Sequence, residues 1–432
     1  MKTVLIIAPQ FSPSSYPPSH RVRIFTNHLD TLGWHPIVLT VEPAFLEEDL
    51  DWEFAKLVKE GLEIIRTKAL TVKWTRKFGI GDLGIRSLYF QLQAARKLCR
   101  ERKIDLLFIP GPPWHTFLVG PLIKKEFGIP FIMDYIDPWV MSLGEHDPPW
   151  TKAYWFRKMA IFLEPHAVRH VDHVVAVSDG TNDGVRSRYD SMPREMFTGI
   201  PYGGELSDFD YVRQHPGENS FFVPGDGHFH FVYIGAMLPN AYDTLRALFK
   251  ALLNIKEKQP ELYKCVRCHF IGTTYAANPG SGLVKPVADE MGLGDIILEH
   301  PKRIPYLDAV NVLCQTDGIL VLGTTETHYT ASKIFPCIMA KKPILAMFHT
   351  ASSVVDVMTS TNAGELVTYD SRETVDCKVS DICEALIRIM SPGYMKPETN
   401  WDEFDKYTAR SMTKQLAAIF DRVTGNRGLL ES

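Results

Sequence analysis

Short runs of Val, Ile and Leu, each followed by a stretch with helical spacing, recur along this chain and then start over at its midpoint. In the first half, Thr3–Ala8, His35–Val41, Leu62–Arg66, Ile104–Ile109, Ile129–Asp134 and His173–Ser178 read as strands. Arg21–Leu32 carries Val22, Phe25, Leu29 and Leu32 at helical spacing and stops at Gly33. The pattern restarts at Phe229–Gly235 and continues through Cys265–Gly272, Ile296–His300, Gly318–Leu322, Pro343–Ala346 and Gly364–Val367. Strands that are apolar throughout must be covered on both faces. Strands of this kind separated by helices therefore form parallel sheets between helical layers. A chain of 432 residues also exceeds what one core usually supports. The expected fold class is α/β, with two Rossmann-like doubly wound domains facing across a cleft. The domains are placed at 1–205 and 206–400, with a C-terminal helix in 401–432. Ligands are expected where the carboxyl ends of such sheets converge.

Composition narrows the function. A formal charge of -4 argues against a general nucleic-acid binder. No apolar run reaches the roughly 18 to 20 residues that span a membrane. The opening MKTVLIIAPQF is too short for a secretory core and reads as a buried first strand. Seven cysteines, an odd number, suit free thiols in a reducing compartment, so a cytoplasmic location is expected. Two short strings mislead. Cys265-Val266-Arg267-Cys268-His269 has haem-attachment spacing but lies in an alternating strand pattern. Asp49-Leu50-Asp51 has the form of a metal-binding acidic pair, but its charged surroundings read as a solvated helix face.

Several stretches resemble the family 4 glycosyltransferases, retaining enzymes of the GT-B kind. PQFSPSSYPPSHRVRIFTNHLDTLGWHPIVLT resembles the family's opening, and IDLLFIPGPPWHTFLVGPLIKKEFGIPFIMDYIDPW its middle. VDHVVAVS resembles the close of the first sheet, and GIPYGGELSDF the join between domains. TASKIFPCIMAKKPILA overlays the family's donor-site helix without a gap. The resemblance implies transfer of a sugar from a nucleotide diphosphate-sugar to a hydroxyl acceptor, in polysaccharide, glycolipid or glycosylated-metabolite synthesis. It implies no cofactor and no metal, the diphosphate being met by cationic side chains and helix ends. It also implies a last helix crossing back to the first domain, which Met412, Leu416, Ile419 and Phe420 would pack.

Carried onto matching positions, the resemblance makes Lys333 the central donor residue, catalytic through the departing diphosphate. Ser332 is then either a phosphate donor or simply a helix cap. Gly235, at the end of a strand, allows the diphosphate close to the backbone. Arg303 supplies further positive charge. The family's paired glutamates are missing: the second position falls on Pro336 and the first on His328, with Glu326 nearby as a shifted donor ligand. For the acceptor, the candidates are His20, Arg21, His115 and Asp134, with His115 and Asp137 also able to act on an acceptor hydroxyl. A structural ion pair is the alternative for Arg21. Eleven Lys and Arg between Gly61 and Lys103, interleaved with aromatic residues, suggest peripheral membrane contact through 61–103, or an ordinary amphipathic helix. The missing glutamate keeps open a catalytically silent nucleotide-sugar-binding or scaffold protein, and the fold a sugar-nucleotide epimerase.

Overall fold

The computed structural model describes residues 1–141, 145–274, 280, 282–325 and 332–425. The chain divides into two compact units, Met1–Tyr202 joined by the segment that begins at Ala409, and Gly203–Thr408. The sequence-based boundaries lie a few residues away. The short helix Trp401–Asp405 goes with the second unit rather than with the terminal segment. Its Phe404 is buried beside Val354 and Met358, which holds it there.

The first unit is built on seven parallel strands: β1 Lys2–Ile7, β2 Trp34–Val41, β3 Glu63–Thr67, β4 Leu106–Gly111, β5 Phe131–Tyr135, β6 His173–Ala176 and β7 Phe197–Gly199. Their order is β3-β2-β1-β4-β5-β6-β7. Because side chains alternate along a strand, β1 sends Leu5 and Ile7 into one core and Val4 and Ile6 into another. The second of these cores also takes Val22, Phe25 and Leu29 from the helix Pro17–Leu29. It takes Met412, Leu416, Ile419 and Phe420 from the C-terminal helix Ala409–Gly425. Trp34 and Phe420 meet edge to face at 5.2 Å between ring centroids.

Two local expectations need correction, and one strand has no sequence signal. The first helix begins at Pro17 rather than Arg21, since prolines are tolerated in a first turn that has no acceptor for their N–H. The stretch around Asp49-Leu50-Asp51 is helical only over Trp52–Ala55. There Asp51 is buried as the N-cap, accepting from the Phe54 amide at 2.9 Å, and is not a solvated face. β7, three residues long, carries too little pattern to be read from sequence.

The second unit has six parallel strands: β8 Phe229–Ile234, β9 Val266–Ile271, β10 Ile297–His300, β11 Gly318–Leu322, β12 Ile344–His349 and β13 Glu365–Tyr369. Their order is β10-β9-β8-β11-β12-β13. The helices Tyr242–Lys258 and Val379–Met390 cover one face, burying Leu245, Leu248, Leu252 and Leu386. The helices Tyr306–Gln315 and Ile334–Met339 contribute to the core on the other. The haem-like string lies as the strand pattern indicates: Cys268 is buried in β9, and His269 shares a buried hydrogen bond with His230.

Candidate functional site

In each sheet the strand order reverses at one point, between β1 and β4 in the first and between β8 and β11 in the second. Loops leaving the carboxyl ends of those neighbours turn opposite ways and open a crevice. The strongest constellation of predicted residues stands at the reversal in the second sheet.

Gly235 follows β8 with φ +125°, a conformation that side chains disfavour. Lys333 sits at the N-terminal boundary of the helix Ile334–Met339. A Cβ built on Gly235 would overlap the Lys333 side chain, so the two residues are in direct contact. The ammonium donates to the Tyr233 hydroxyl at 3.3 Å and to the Ala236 carbonyl at 3.5 Å, and lies 4.7 Å from the Tyr233 ring centroid. Tyr233 Oη in turn donates to the Ala236 carbonyl at 2.8 Å. Among the described residues these partners are neutral, so none of them cancels the charge of Lys333. That is the electrostatic condition for receiving an anion.

Ser332 is exposed beside Lys333, which occupies the N-cap position of the helix. Arg303 is exposed, and its Cα lies 3.7 Å from where a Cβ at Gly272 would stand. Gly272 adjoins Gly235, whose amide donates to the Ile271 carbonyl at 2.8 Å. Gly235, Arg303, Ser332 and Lys333 therefore belong to one neighbourhood. Glu326 and His328 lie outside the described residues. Pro336 occupies the third position of its helix, in the first turn, where a backbone N–H has no intrahelical acceptor to lose.

In the first unit Arg21 and Asp134 pair with each other. Arg21 Nε and Nη2 reach the two carboxylate oxygens of Asp134 at 2.6 and 2.8 Å, and both residues are buried. Burial raises the Asp134 carboxyl above its ordinary range, and the guanidinium opposes that rise. Arg21 Nη1 donates to the Pro201 carbonyl at 3.2 Å, tying β5 to the segment where the chain leaves the unit. Of the two readings open for Arg21 in the sequence, the ion pair is the one this structure contains.

His115 is buried in the loop after β4. Its Nδ1 lies 2.9 Å from Asp82, the residue that caps the helix Leu83–Glu101. The His115 contact and the Ile85 and Gly84 amides hold the Asp82 carboxyl low against the upward push of burial. The other ring nitrogen of His115 is buried without a hydrogen-bond partner, as is Trp139 Nε1, with the rings 5.6 Å apart. Asp137 is exposed as a residue, yet desolvation by the surrounding protein raises its carboxyl, and its carbonyl accepts from Trp114 at 2.9 Å. His20 packs on Phe54 with ring centroids 4.5 Å apart.

Tyr233 and Asp82 were not singled out from sequence. Asp82 precedes a helical run as a capping residue does, which was a readable signal. Tyr233 looks like any strand residue until the fold brings Lys333 over it. Among the described residues, no three His, Cys, Asp or Glu side chains gather as metal ligands.

Two parallel doubly wound units in one chain, each with its reversal point, define the GT-B class. Solved structures share that fold over essentially their whole length. The α,α-trehalose-phosphate synthase (UDP-forming) of Burkholderia vietnamiensis aligns with a TM-score of 0.62 at 11% identity, over 98% of this chain and 99% of its own. A glycosyltransferase of Rickettsia africae aligns at 0.58 and 14%, over 98% and 99%. Anabaena Alr3699/HepE, in complex with UDP and glucose, aligns at 0.55 and 13%, over 100% and 99%. Residues 18–203 match a family model described as a glycosyl transferase 4-like domain. No curated protein matches the sequence.

Proposed function

We propose that this protein is a retaining glycosyltransferase that moves a sugar from a nucleotide diphosphate-sugar to a hydroxyl acceptor. The observation that carries this reading is the Gly235–Lys333 contact, a glycine opening beneath an ammonium whose partners are all neutral. The glycosyl transferase 4-like domain supports it, as do structural neighbours named for UDP or for forming it. In this reading Lys333, with Arg303 and Ser332, stabilises the departing diphosphate. The bond from the anomeric carbon to the phosphate oxygen breaks, and the bond to the acceptor oxygen forms on the same face. The acceptor proton passes to the leaving phosphate. Asp137 and His115 are the first unit's candidates for acceptor contact, and no metal is required.

Purified protein incubated with a panel of nucleotide-sugars and acceptors should release nucleoside diphosphate and keep doing so in EDTA. Lys333→Ala should abolish that release while the protein keeps its melting profile. Turnover like wild type in the variant would remove Lys333 from the proposed role. Pro336, where the family has an acidic residue, favours one other reading: a protein that binds the nucleotide-sugar without transferring it. Calorimetric binding with neither transfer nor donor hydrolysis would decide for that reading.

A further inference from the structure

Most of the basic residues in 61–103 are already partnered within the protein. Arg86 is buried, donating to the Phe45 and Leu70 carbonyls and to Glu47. Arg76, Arg96, Lys97, Arg100, Arg102 and Lys103 each pair with a carboxylate. Arg66 donates to the Ser12 and Val41 carbonyls. What remains is Lys68, Lys73 and Lys77, all exposed, around Trp74 and Phe78, which are 59% and 66% exposed. No acidic residue occurs from Lys68 to Ile80.

A second surface of the same character lies on the helix Lys152–Val168. Trp155 and Phe162 are 63% and 69% exposed, and Trp150, just before the helix, is 84% exposed. Lys152, Trp155, Lys158, Phe162 and His166 recur every three or four residues, along one exposed stripe. From Trp150 to Leu163 there is again no acidic residue. The one carboxylate within the helix, Glu164, points inward and is held by Arg188, Tyr135 and Tyr189. This inverts the usual order of a globular helix, in which large aromatics face the core and solvent meets mixed charge. The loop after β4 connects the two surfaces: its His115 is held by Asp82, and its Trp114 packs on Phe156 at 5.9 Å.

We propose that these two patches are the surface by which the first unit docks on an anionic lipid bilayer. Exposed tryptophan and phenylalanine suit the interfacial layer, and lysines with no carboxylate partner among the described residues suit anionic headgroups. The inference does not depend on glycosyl transfer and is read without it.

The test is flotation of the full chain with phosphatidylcholine vesicles, with and without phosphatidylglycerol. The protein is expected to float with the anionic vesicles and to be released as salt rises. Trp155→Ser with Phe162→Ser, and separately Lys73→Gln with Lys77→Gln, should each weaken binding at least about tenfold. All these side chains are exposed, so unchanged melting curves will show that the fold is intact. Met395→Ser, at an 88% exposed position of the second unit, should leave binding unchanged. Failure to float with anionic vesicles, or flotation indifferent to both double variants, would overturn the proposal. So would self-association in solution that Trp155→Ser abolishes without vesicles, which would make the stripe a protein interface.

Discussion

Lys333 lies directly over Gly235, so the space that a side chain at Gly235 would fill is already taken by the lysine. The residues are far apart in the chain, one following β8 and the other beginning the helix after β11. They meet because β8 and β11 are neighbours in the sheet. The ammonium keeps neutral partners in Tyr233 and the Ala236 carbonyl, which leaves its charge for a ligand.

Gly235→Ala should therefore be damaging in two ways. The φ of +125° is strained for alanine, at a cost of about 1 to 3 kcal/mol. The methyl must also displace the Lys333 side chain, which can swing away only by leaving its present position. Denaturant melts should show the stability loss, and calorimetry a weakened response to nucleoside diphosphates. An alanine variant that binds like wild type would show that the close approach is not used.

Lys333→Ala should leave stability nearly unchanged, because the side chain is only half-buried and has no ionic partner among the described residues. Loss of a hydrogen bond to a charged group predicts weaker diphosphate binding by about 1.5 to 3 kcal/mol. Calorimetry with a nucleoside diphosphate reads this directly.

The Arg21–Asp134 pair makes a prediction of the opposite kind. Removing either partner strands a buried charge, so Arg21→Ala or Asp134→Ala should cost about 3 to 5 kcal/mol. Arg21→Met combined with Asp134→Leu should recover much of that loss. Urea unfolding of the two single variants and the double variant forms the cycle. Single variants as stable as wild type would contradict the ion pair described here.

Two buried histidines set an acid limit. Desolvation, helped by nearby Arg422, lowers His173 to about 4 from its ordinary 6.5. Desolvation, with His230 and His300 beside it, lowers His269 to about 3. Above pH 6.5 both are neutral in folded and unfolded chains, so they add no pH dependence there. Below that value the unfolded chain takes up protons that the folded chain refuses. Stability should fall progressively towards about pH 4 for His173 and about pH 3 for His269, by a few kcal/mol each in order of magnitude. Unfolding free energies measured across this window should show the slope, and His269→Leu should flatten it.

Pro336→Glu places an acidic residue where the resemblance to family 4 glycosyltransferases expects one. The first turn of a helix accepts glutamate at least as well as proline. If the nucleotide sits as proposed, its affinity should rise roughly tenfold, given about 1.5 kcal/mol for a hydrogen bond to a charged group. Affinity unchanged by Pro336→Glu would mean that other contacts have taken over the ribose.

The alternation of apolar strands and amphipathic helices, repeated twice, by itself determined the class of fold and the position of twelve of the thirteen strands among the described residues. Strand and helix periodicities are local, and a parallel sheet buried on both faces has few polar residues to blur them. β7 escaped because three residues carry no period, and the first helix was read late because prolines conceal a first turn. The candidate site was legible only where it depends on chain-local features, in the glycine at a strand end and the lysine at a helix start. Pairing was decided by tertiary structure alone. Strand order set Lys333 on Tyr233 and Gly235, burial joined Arg21 to Asp134, and helix packing took His115 to Asp82. Charges that looked alike in sequence separated in the same way: folding buried Arg86 against backbone carbonyls and left Lys73 and Lys77 in solvent. A sequence lists which charges are present, but only the packed chain decides which find a partner before any ligand arrives.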